Sequence, residues 1–201
     1  MDVKYYFTNK SSVFWLKVTA LVLYPAPLRD LLMTLGTHCP IKLRWSALIH
    51  DEWMRNLLAN RNDLTDAQVE RTRSLMDQAI PDALVTDFEP VIDSLVLPDP
   101  DDRHVLAAAI QAKADAIVTW NIKDFPAKNL KSHHLVRLNP DAFIMDVITT
   151  HEELAIAAIQ SMRSRLRHPP VSPTNLLETF ARQKLTRVVA HLRQSTFLSR
   201  L

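Results

Sequence analysis

The sequence predicts an α/β fold in which a parallel sheet is covered by helices on both faces, followed by a helical C-terminal extension. Short apolar runs, typical of buried strands, alternate with amphipathic segments of helical length up to about residue 140. From Pro140 onward only helical patterns occur, and the pair Pro169-Pro170 predicts a break between two of them. In folds of this class, ligands bind at the carboxyl ends of the strands.

The N-terminal half is predicted to alternate strands with amphipathic helices. Gly36 is expected to cap the first helix at its C-terminus, because glycine readily adopts the left-handed conformation found there. Ser46 and Thr65 are typical N-cap residues, and Gln68 completes a capping-box pattern with Thr65. The predicted elements are a strand at 18–23, a helix at 25–35, a strand at 41–45, a helix at 47–59 and a helix at 66–80.

The second half contains an alanine-rich helix suited to close packing on a sheet, and then the C-terminal helices. Thr150 and Glu153 form another capping-box pattern, and the last helix is expected to break near Thr186. The predicted elements are strands at 83–86, 95–97, 116–120 and 135–138, and helices at 105–114, 140–148, 151–167 and 174–194. We therefore predict an N-terminal extension at 1–17, an α/β domain at 18–147 and a basic helical extension at 148–201.

The composition excludes several functional classes. Gly36 is the single glycine, so neither a phosphate-binding glycine loop nor a dinucleotide fingerprint can be formed. The single cysteine, Cys39, excludes an intramolecular disulfide and fits a reducing compartment. No apolar run approaches the roughly 20 residues that span a bilayer. We expect a cytoplasmic protein whose chemistry depends on side chains.

The charge is unevenly distributed. Residues 160–201 contain eight arginines or lysines and one acid, whereas residues 1–159 contain 16 basic and 21 acidic residues. An acidic body with a basic extension suits a cation site beside a surface that binds a polyanion. A solvated helical face explains the basic extension equally well.

Acidic and amide side chains occur where predicted strands or helices end or begin. Glu52 borders the apolar face of its helix, Asp102 begins the alanine-rich helix, and Asn121 and Asp124 follow the strand at 116–120. Crowded carboxylates repel one another unless a cation neutralises them, and Mg²⁺ prefers such oxygen ligands. Asp102 taken alone could be only a helix cap, and Asp124 only a turn residue.

Four ordered runs resemble the PIN-domain family, and most closely its VapC-like toxin group. They are LYPAPLRD at 23–30, IHDEW at 49–53, LPDPDDRHVLAAA at 97–109 and IVTWNIKDFP at 117–126. The resemblance covers about residues 18–145. It implies a three-layer α/β/α PIN-like fold and cleavage of RNA that depends on Mg²⁺ or Mn²⁺. It also implies a cognate antitoxin and a homodimer.

The resemblance assigns catalytic positions to this sequence. The helix-borne acid of the family corresponds to Glu52, the acid that opens the central helix to Asp102, and the position after the next strand to Asn121, with Asp124 nearby. Glu52, Asp102 and Asp124 are thus expected to bind the metal, assisted by Asn121. Asp99, beside Asp102, is a further candidate.

One position departs from the family pattern. Related chains carry an acid a few residues before the Leu-Tyr-Pro run, whereas this chain has Thr19-Ala20-Leu21-Val22 there. Asp30, on the following helix, is a candidate substitute. The alternative interpretation is a catalytically impaired PIN-fold module that binds RNA or a protein partner.

Four residues are candidates for contacts with nucleic acid, and two of them have a second interpretation. Arg29 would bind the phosphate backbone together with the basic C-terminal helices. Trp120 could stack on a base, or belong to the core or a subunit contact, and Thr119 precedes it. His104, close to Asp102, could contact substrate or be a partly buried structural histidine.

Overall fold

The structure is a computed structural model that describes residues 14–201. The predicted N-terminal extension therefore lies outside the described residues up to residue 13, and residues 14–17 belong to the first strand. The chain divides into two compact units. The sheet unit comprises Phe14–Tyr24 and Ile41–Asn139, and the helical unit comprises Pro25–Pro40 and Pro140–Leu201. No helix in the described part is long and apolar enough to cross a membrane.

The sheet unit is built on five parallel strands, which confirms the predicted α/β class. The strands are arranged in the order β3-β2-β1-β4-β5, so that β1 lies in the centre and the chain extends the sheet first on one side and then on the other. Their bounds are β1 Phe14–Val18, β2 Ile41–Ser46, β3 Leu84–Val85, β4 Ala116–Val118 and β5 Val136–Leu138.

The prediction of the first strand is wrong. Residues 18–23 were expected to be extended, but β1 ends at Val18 and α1, Ala20–Leu23, is helical. The backbone N–H groups of Val22 and Leu23 donate to the Thr19 carbonyl at 3.1 and 3.3 Å. A short buried apolar run has the same pattern in a helix and in a strand, so periodicity could not separate the two.

Helices connect the strands of the sheet unit, and two predicted caps are confirmed. Ser46 accepts from the Ile49 N–H at 3.5 Å, and Thr65 and Gln68 form the complete capping box. The predicted strand at 95–97 is wrong, because these residues form a loop in which Leu95 and Leu97 are buried. The helices are α1, α3 Ala47–Asn60, α4 Asp66–Ala79, α5 Glu89–Ile92, α6 Arg103–Gln111 and α7 Ala127–Lys131.

Helix α6 packs closely on the sheet, as its composition predicts. Its alanines at 107, 108 and 109 have no solvent exposure, and the helix contacts β1, β2 and β4. Small side chains let the helix backbone approach the strands, which fixes the position of the residues at its N-terminus. Those residues include two of the predicted site side chains.

The helical unit contains six helices within its described residues. Gly36 lies inside the first of them, so the predicted cap at Gly36 is wrong; Cys39 is the C-cap. The predicted capping box of Thr150 and Glu153 is also wrong, since His151 precedes the next helix without a side-chain cap. The helices are α2 Ala26–His38, α8 Pro140–Thr150, α9 Glu152–Arg165, α10 Pro173–Arg182, α11 Thr186–Leu192 and α12 Ser195–Leu198.

The predicted break near Thr186 is confirmed and has a clear cause. Asp141 on α8 accepts hydrogen bonds from the backbone N–H groups of Arg187 and Val188, at 2.9 and 3.1 Å, at the start of α11. A buried carboxylate thus satisfies helix N–H groups that would otherwise have no partner. The domain boundary at 147/148 stays a prediction. The helical unit also contains residues 25–40.

Candidate active site

The candidate site lies in the sheet unit, at the carboxyl ends of β1 and β4. These strands are neighbours, and the chain leaves them towards opposite edges of the sheet, which is where open α/β sheets form a ligand crevice. The Thr19 N–H donates to the Val118 carbonyl at 3.2 Å, and the Thr119 N–H donates to the Leu138 carbonyl at 2.9 Å. The loops that follow the two strands are thereby held to the sheet.

Glu52 and His104 form the closest side-chain pair of the site. Glu52, on α3, lies 2.7 Å from the imidazole Nε2 of His104, on the first turn of α6. The histidine side chain is nearly buried, whereas that of Glu52 is 35% exposed. This contact holds Glu52 at the N-terminus of α6, where Asp102 also lies. His104 thus has a partner within the protein, as its interpretation as a structural histidine requires.

Asp102 is the centre of a cluster of carboxylates. It ends a short 3₁₀ helix, Pro100–Asp102, and directly precedes α6. Burial, followed by the neighbouring carboxylates of Asp99, Asp124 and Glu52, raises the pKa of Asp102 to about 6, against a lowering contribution from His104. The acids predicted from sequence are thus brought close enough to repel one another.

Asn121 and Asp124 close the loop after β4 onto itself. The side-chain amide of Asn121 donates to an Asp124 carboxylate oxygen, and the Asn121 backbone N–H donates to Thr119 Oγ1 at 3.0 Å. Asp124 ends a second short 3₁₀ helix, Ile122–Asp124. Asn121 therefore positions an acid in this structure, in addition to carrying an oxygen that could bind a cation.

Lys17 is a residue of the site that the sequence analysis missed. It lies on β1 with no solvent exposure, and its Nζ has no hydrogen-bond partner among the described residues. Burial lowers the pKa of Lys17 to about 7, and the negative charge of Glu52 opposes that shift. Thr19, two residues further along, has a buried hydroxyl that likewise lacks a partner within residues 14–201. The alternation of side chains along a strand would have placed Lys17 and Thr19 on one face.

The donor chemistry of the cluster fits a hard divalent cation. Glu52, Asp102 and Asp124 carry oxygen atoms that could bind a cation, and the pKa of Asp102 is raised first by burial and then by the charges of its neighbours. However, the described residues contain no group of three or more His, Cys, Asp or Glu side chains already arranged to hold a metal ion. The carboxylates lie near one another, but in the described part of the chain they are not arranged as a complete set of metal ligands.

The other predicted residues are placed as follows. Thr119 is buried, Trp120 is partly exposed, and exposed Asp99 accepts from the Asp101 N–H at 2.9 Å. Arg29 and Asp30 belong to the helical unit, where Arg29 is 9% exposed and Asp30 pairs with Arg165 at 3.2 Å. Their roles towards nucleic acid or metal stay predictions.

The chain belongs to the PIN-domain family, whose sequence model matches residues 18–123, more than half of the chain. A second family model, described as the VapC50 C-terminal domain, matches residues 140–194. The predicted PIN-like fold class and the resemblance to the VapC-like group are confirmed.

Among curated proteins, the chain is similar to "Putative ribonuclease VapC50" of Mycobacterium tuberculosis (strain ATCC 25618 / H37Rv). The two are 42% identical over 82 residues, which is 41% of this chain and 48% of that protein. The match thus spans about half the length of the relative. No solved structure matches the chain.

Proposed function

We propose that this protein is an endoribonuclease of the PIN type that cleaves single-stranded RNA at the cluster around Asp102. The observation that carries the proposal is the convergence of three carboxylates, Asp99, Asp124 and Glu52, on half-buried Asp102 at the carboxyl end of the parallel sheet, where burial and these charges raise its pKa to about 6. Carboxylates gathered in this way repel a polyanion unless a cation is recruited, so the cluster is suited to cation-assisted chemistry on a phosphodiester.

The residues of the cluster have separate roles in this proposal. Mg²⁺ or Mn²⁺ would be held by Glu52, Asp102 and Asp124 and, when bound, supplies an activated water and neutralises charge on the phosphate. His104 orients Glu52 through their 2.7 Å contact. Asn121 orients Asp124 by donating to its carboxylate. Thr119 holds the backbone of Asn121 and so fixes the loop that carries both.

RNA would be held by residues outside the carboxylate cluster. Trp120 is partly exposed directly after β4 and can offer its ring to a base. Arg29 and the basic residues of the C-terminal helices would bind the phosphate backbone. In the helical unit, Arg163, Arg165 and Arg200 already have internal partners. Other exposed basic side chains there are Arg167 and Arg182, which also make hydrogen bonds within the unit, and Lys184, Arg187 and Arg193.

The similarity to a protein of the VapC-like group supports a place in a toxin–antitoxin pair. The proposal therefore includes a cognate antitoxin, a homodimer and a cytoplasmic location. Cys39 is a free, buried thiol, which suits a reducing compartment.

The test compares RNA cleavage by the full-length wild type with that of Glu52→Gln and Asp102→Asn in the presence of Mn²⁺. We expect each substitution to reduce the rate about 100-fold or more, because each removes an anionic ligand. Asp101→Asn is the matched control for Asp102→Asn, since it makes the same change from carboxylate to amide at an exposed neighbour. No cleavage by the wild type, or cleavage that both substitutions leave unchanged, would exclude the proposal.

A second candidate function is an RNA- or protein-binding module without catalysis. It is favoured by one feature: β1 carries the buried Lys17, and the stretch Thr19-Ala20-Leu21-Val22 that follows it has no acid, although the family resemblance leads us to expect one there. This candidate predicts RNA binding that persists in Glu52→Gln and Asp102→Asn, together with no product in Mn²⁺. Binding and cleavage measured on the same samples distinguish the two candidates.

A further inference from the structure

The buried lysine on the central strand is an unusual neighbour for a carboxylate cluster. Lys17 is paired through β1 with Arg44 of β2 on one side and with Ile117 of β4 on the other. It has no solvent exposure, and no hydrogen bond to its Nζ occurs in the described part of the chain. An isolated ammonium group in such a position is costly unless a negative charge lies close by.

The negative charge that acts on this lysine comes from the candidate site. Glu52 is the acid whose charge opposes the effect of burial on Lys17. Glu52 also acts on Asp102 and contacts His104. Lys17 and the acids of the candidate site are therefore linked through Glu52, the acid whose charge acts on both Lys17 and Asp102.

We propose that the ammonium group of Lys17 is a built-in counter-cation of the carboxylate cluster, which lowers the affinity of the site for a divalent metal ion. This inference rests on the proposed function, because it concerns the same carboxylates. Lys17 neutralises part of the charge that would attract the metal. It lies just before the stretch Thr19-Ala20-Leu21-Val22, which lacks the acid that the family resemblance leads us to expect. The buried ammonium and the missing acid both reduce the negative charge that the site offers to a cation.

The experiment measures the binding of Mn²⁺ alone to the full-length protein at pH 6, below the pKa of Lys17, so that most of the lysine is protonated. The readout is the free-ion signal in electron paramagnetic resonance. The variant is Lys17→Met, which keeps a side chain of similar length and removes the charge. The control is Lys123→Met, which makes the same change in net charge at an exposed lysine beside Asp124. At this pH Lys17→Met should bind Mn²⁺ about five- to tenfold more tightly than the wild type, and Lys123→Met within about twofold of it, because a buried charge is screened less than an exposed one.

Adding Glu52→Gln to Lys17→Met should abolish the gain, since it removes the acid that Lys17 compensates. Equal affinities for Lys17→Met and Lys123→Met would overturn the proposal. Binding of Mn²⁺ by the wild type with a dissociation constant in the low-micromolar range would also overturn the proposal. These measurements involve no RNA. The proposal for Lys17 can therefore be overturned while the proposal of RNA cleavage is confirmed, or the reverse.

A second measurement uses only a variant that leaves Lys17 in place. Proton-detected nitrogen NMR follows the Lys17 ammonium as the pH is raised in the wild type and in Glu52→Gln. The substitution should lower the pKa of Lys17, because the charge that holds the proton is gone. An unchanged titration would show that Lys17 does not sense the cluster and would overturn the proposal.

Discussion

The sheet unit contains two buried histidines, each beside an acid, and they differ in how completely their hydrogen bonds are satisfied. His50 on α3 accepts from Trp53 Nε1 at 2.9 Å, and its Nε2 lies 3.1 Å from Asp77, which also accepts from Trp45 Nε1 at 2.8 Å. Since an indole only donates, Nδ1 of His50 must be the acceptor and Nε2 carries the proton. Both nitrogens are used, and the ring is fixed.

The site around His104 is incomplete by comparison. Nε2 of His104 contacts Glu52, but its Nδ1 has no partner within the described residues, and the same holds for Lys17 Nζ and Thr19 Oγ1. Buried polar groups without partners are costly, and they occur where a protein serves a purpose other than its own stability. The His50 network supports the fold, whereas the His104 network has unused bonding capacity for a ligand.

Substituting the two histidines should separate these roles and give the largest effect. His50→Leu is expected to reduce the free energy of unfolding by about 3 kcal/mol, because the buried donor of Trp53 and part of Asp77 lose their partner. His104→Leu should cost about 1 kcal/mol, since Glu52 is partly exposed and can be hydrated. Urea unfolding of both variants checks this; equal losses would remove the distinction between the networks.

Removing the buried charge should stabilise the metal-free protein. Burial lowers the pKa of Lys17 from 10.5 to about 7, so below pH 10.5 the native state binds fewer protons than the unfolded chain and the ammonium costs stability. Lys17→Met is therefore expected to raise the free energy of unfolding at pH 7 by roughly 2 kcal/mol. Lys123→Met should change it by less than about 0.5 kcal/mol. A destabilised Lys17→Met would mean that the ammonium has a favourable partner.

The two networks should also respond to pH in opposite directions. Burial lowers the pKa of His50, so stability from this group is lost as the pH falls below 6.5. The pKa of Asp102 is raised from 3.8 to about 6, so the native state gains stability from this group as the pH falls through 6 towards 4.

The substitution Asp102→Asn removes only the contribution of Asp102 to the pH dependence of stability. Between pH 7 and pH 4.5 the variant should lose about 1 kcal/mol more stability than the wild type, a value reduced for the partial exposure of the group. Thermal unfolding across this pH range measures the difference. If the free energies of unfolding of the two proteins changed in parallel with pH, the ionised form of Asp102 would not be disfavoured in the native state, and the account would be wrong.

Local patterns predicted much of the fold. The caps at Ser46 and Thr65 depend on neighbouring residues and were found from sequence, whereas the strand at 18–23 was misassigned. That segment is almost entirely apolar, and even its exposed residue is Leu21, so it has no polar face to reveal its period. The parallel order with β1 in the centre depends on contacts between distant segments, which no local pattern specifies.

The site was predicted in part for a similar reason. Glu52, Asp102 and Asp124 belong to ordered motifs, and the structure brings their charges together. The contact of Glu52 with His104 needed the packing of α3 against α6, and sequence left His104 with two interpretations. Lys17 was missed because it was assigned to an N-terminal extension, where a lysine is ordinarily exposed.

The most direct test of the central claim, that the cluster around Asp102 is a nuclease site, is cleavage of single-stranded RNA by Lys17→Met in Mn²⁺. Comparison with the double variant Lys17→Met/Asp102→Asn identifies the site responsible. We predict that at pH 6 and limiting Mn²⁺ Lys17→Met cleaves several-fold faster than the wild type, and that the added Asp102→Asn abolishes the product. Cleavage that persists in the double variant, or no cleavage by Lys17→Met with Mn²⁺ bound, would contradict the claim.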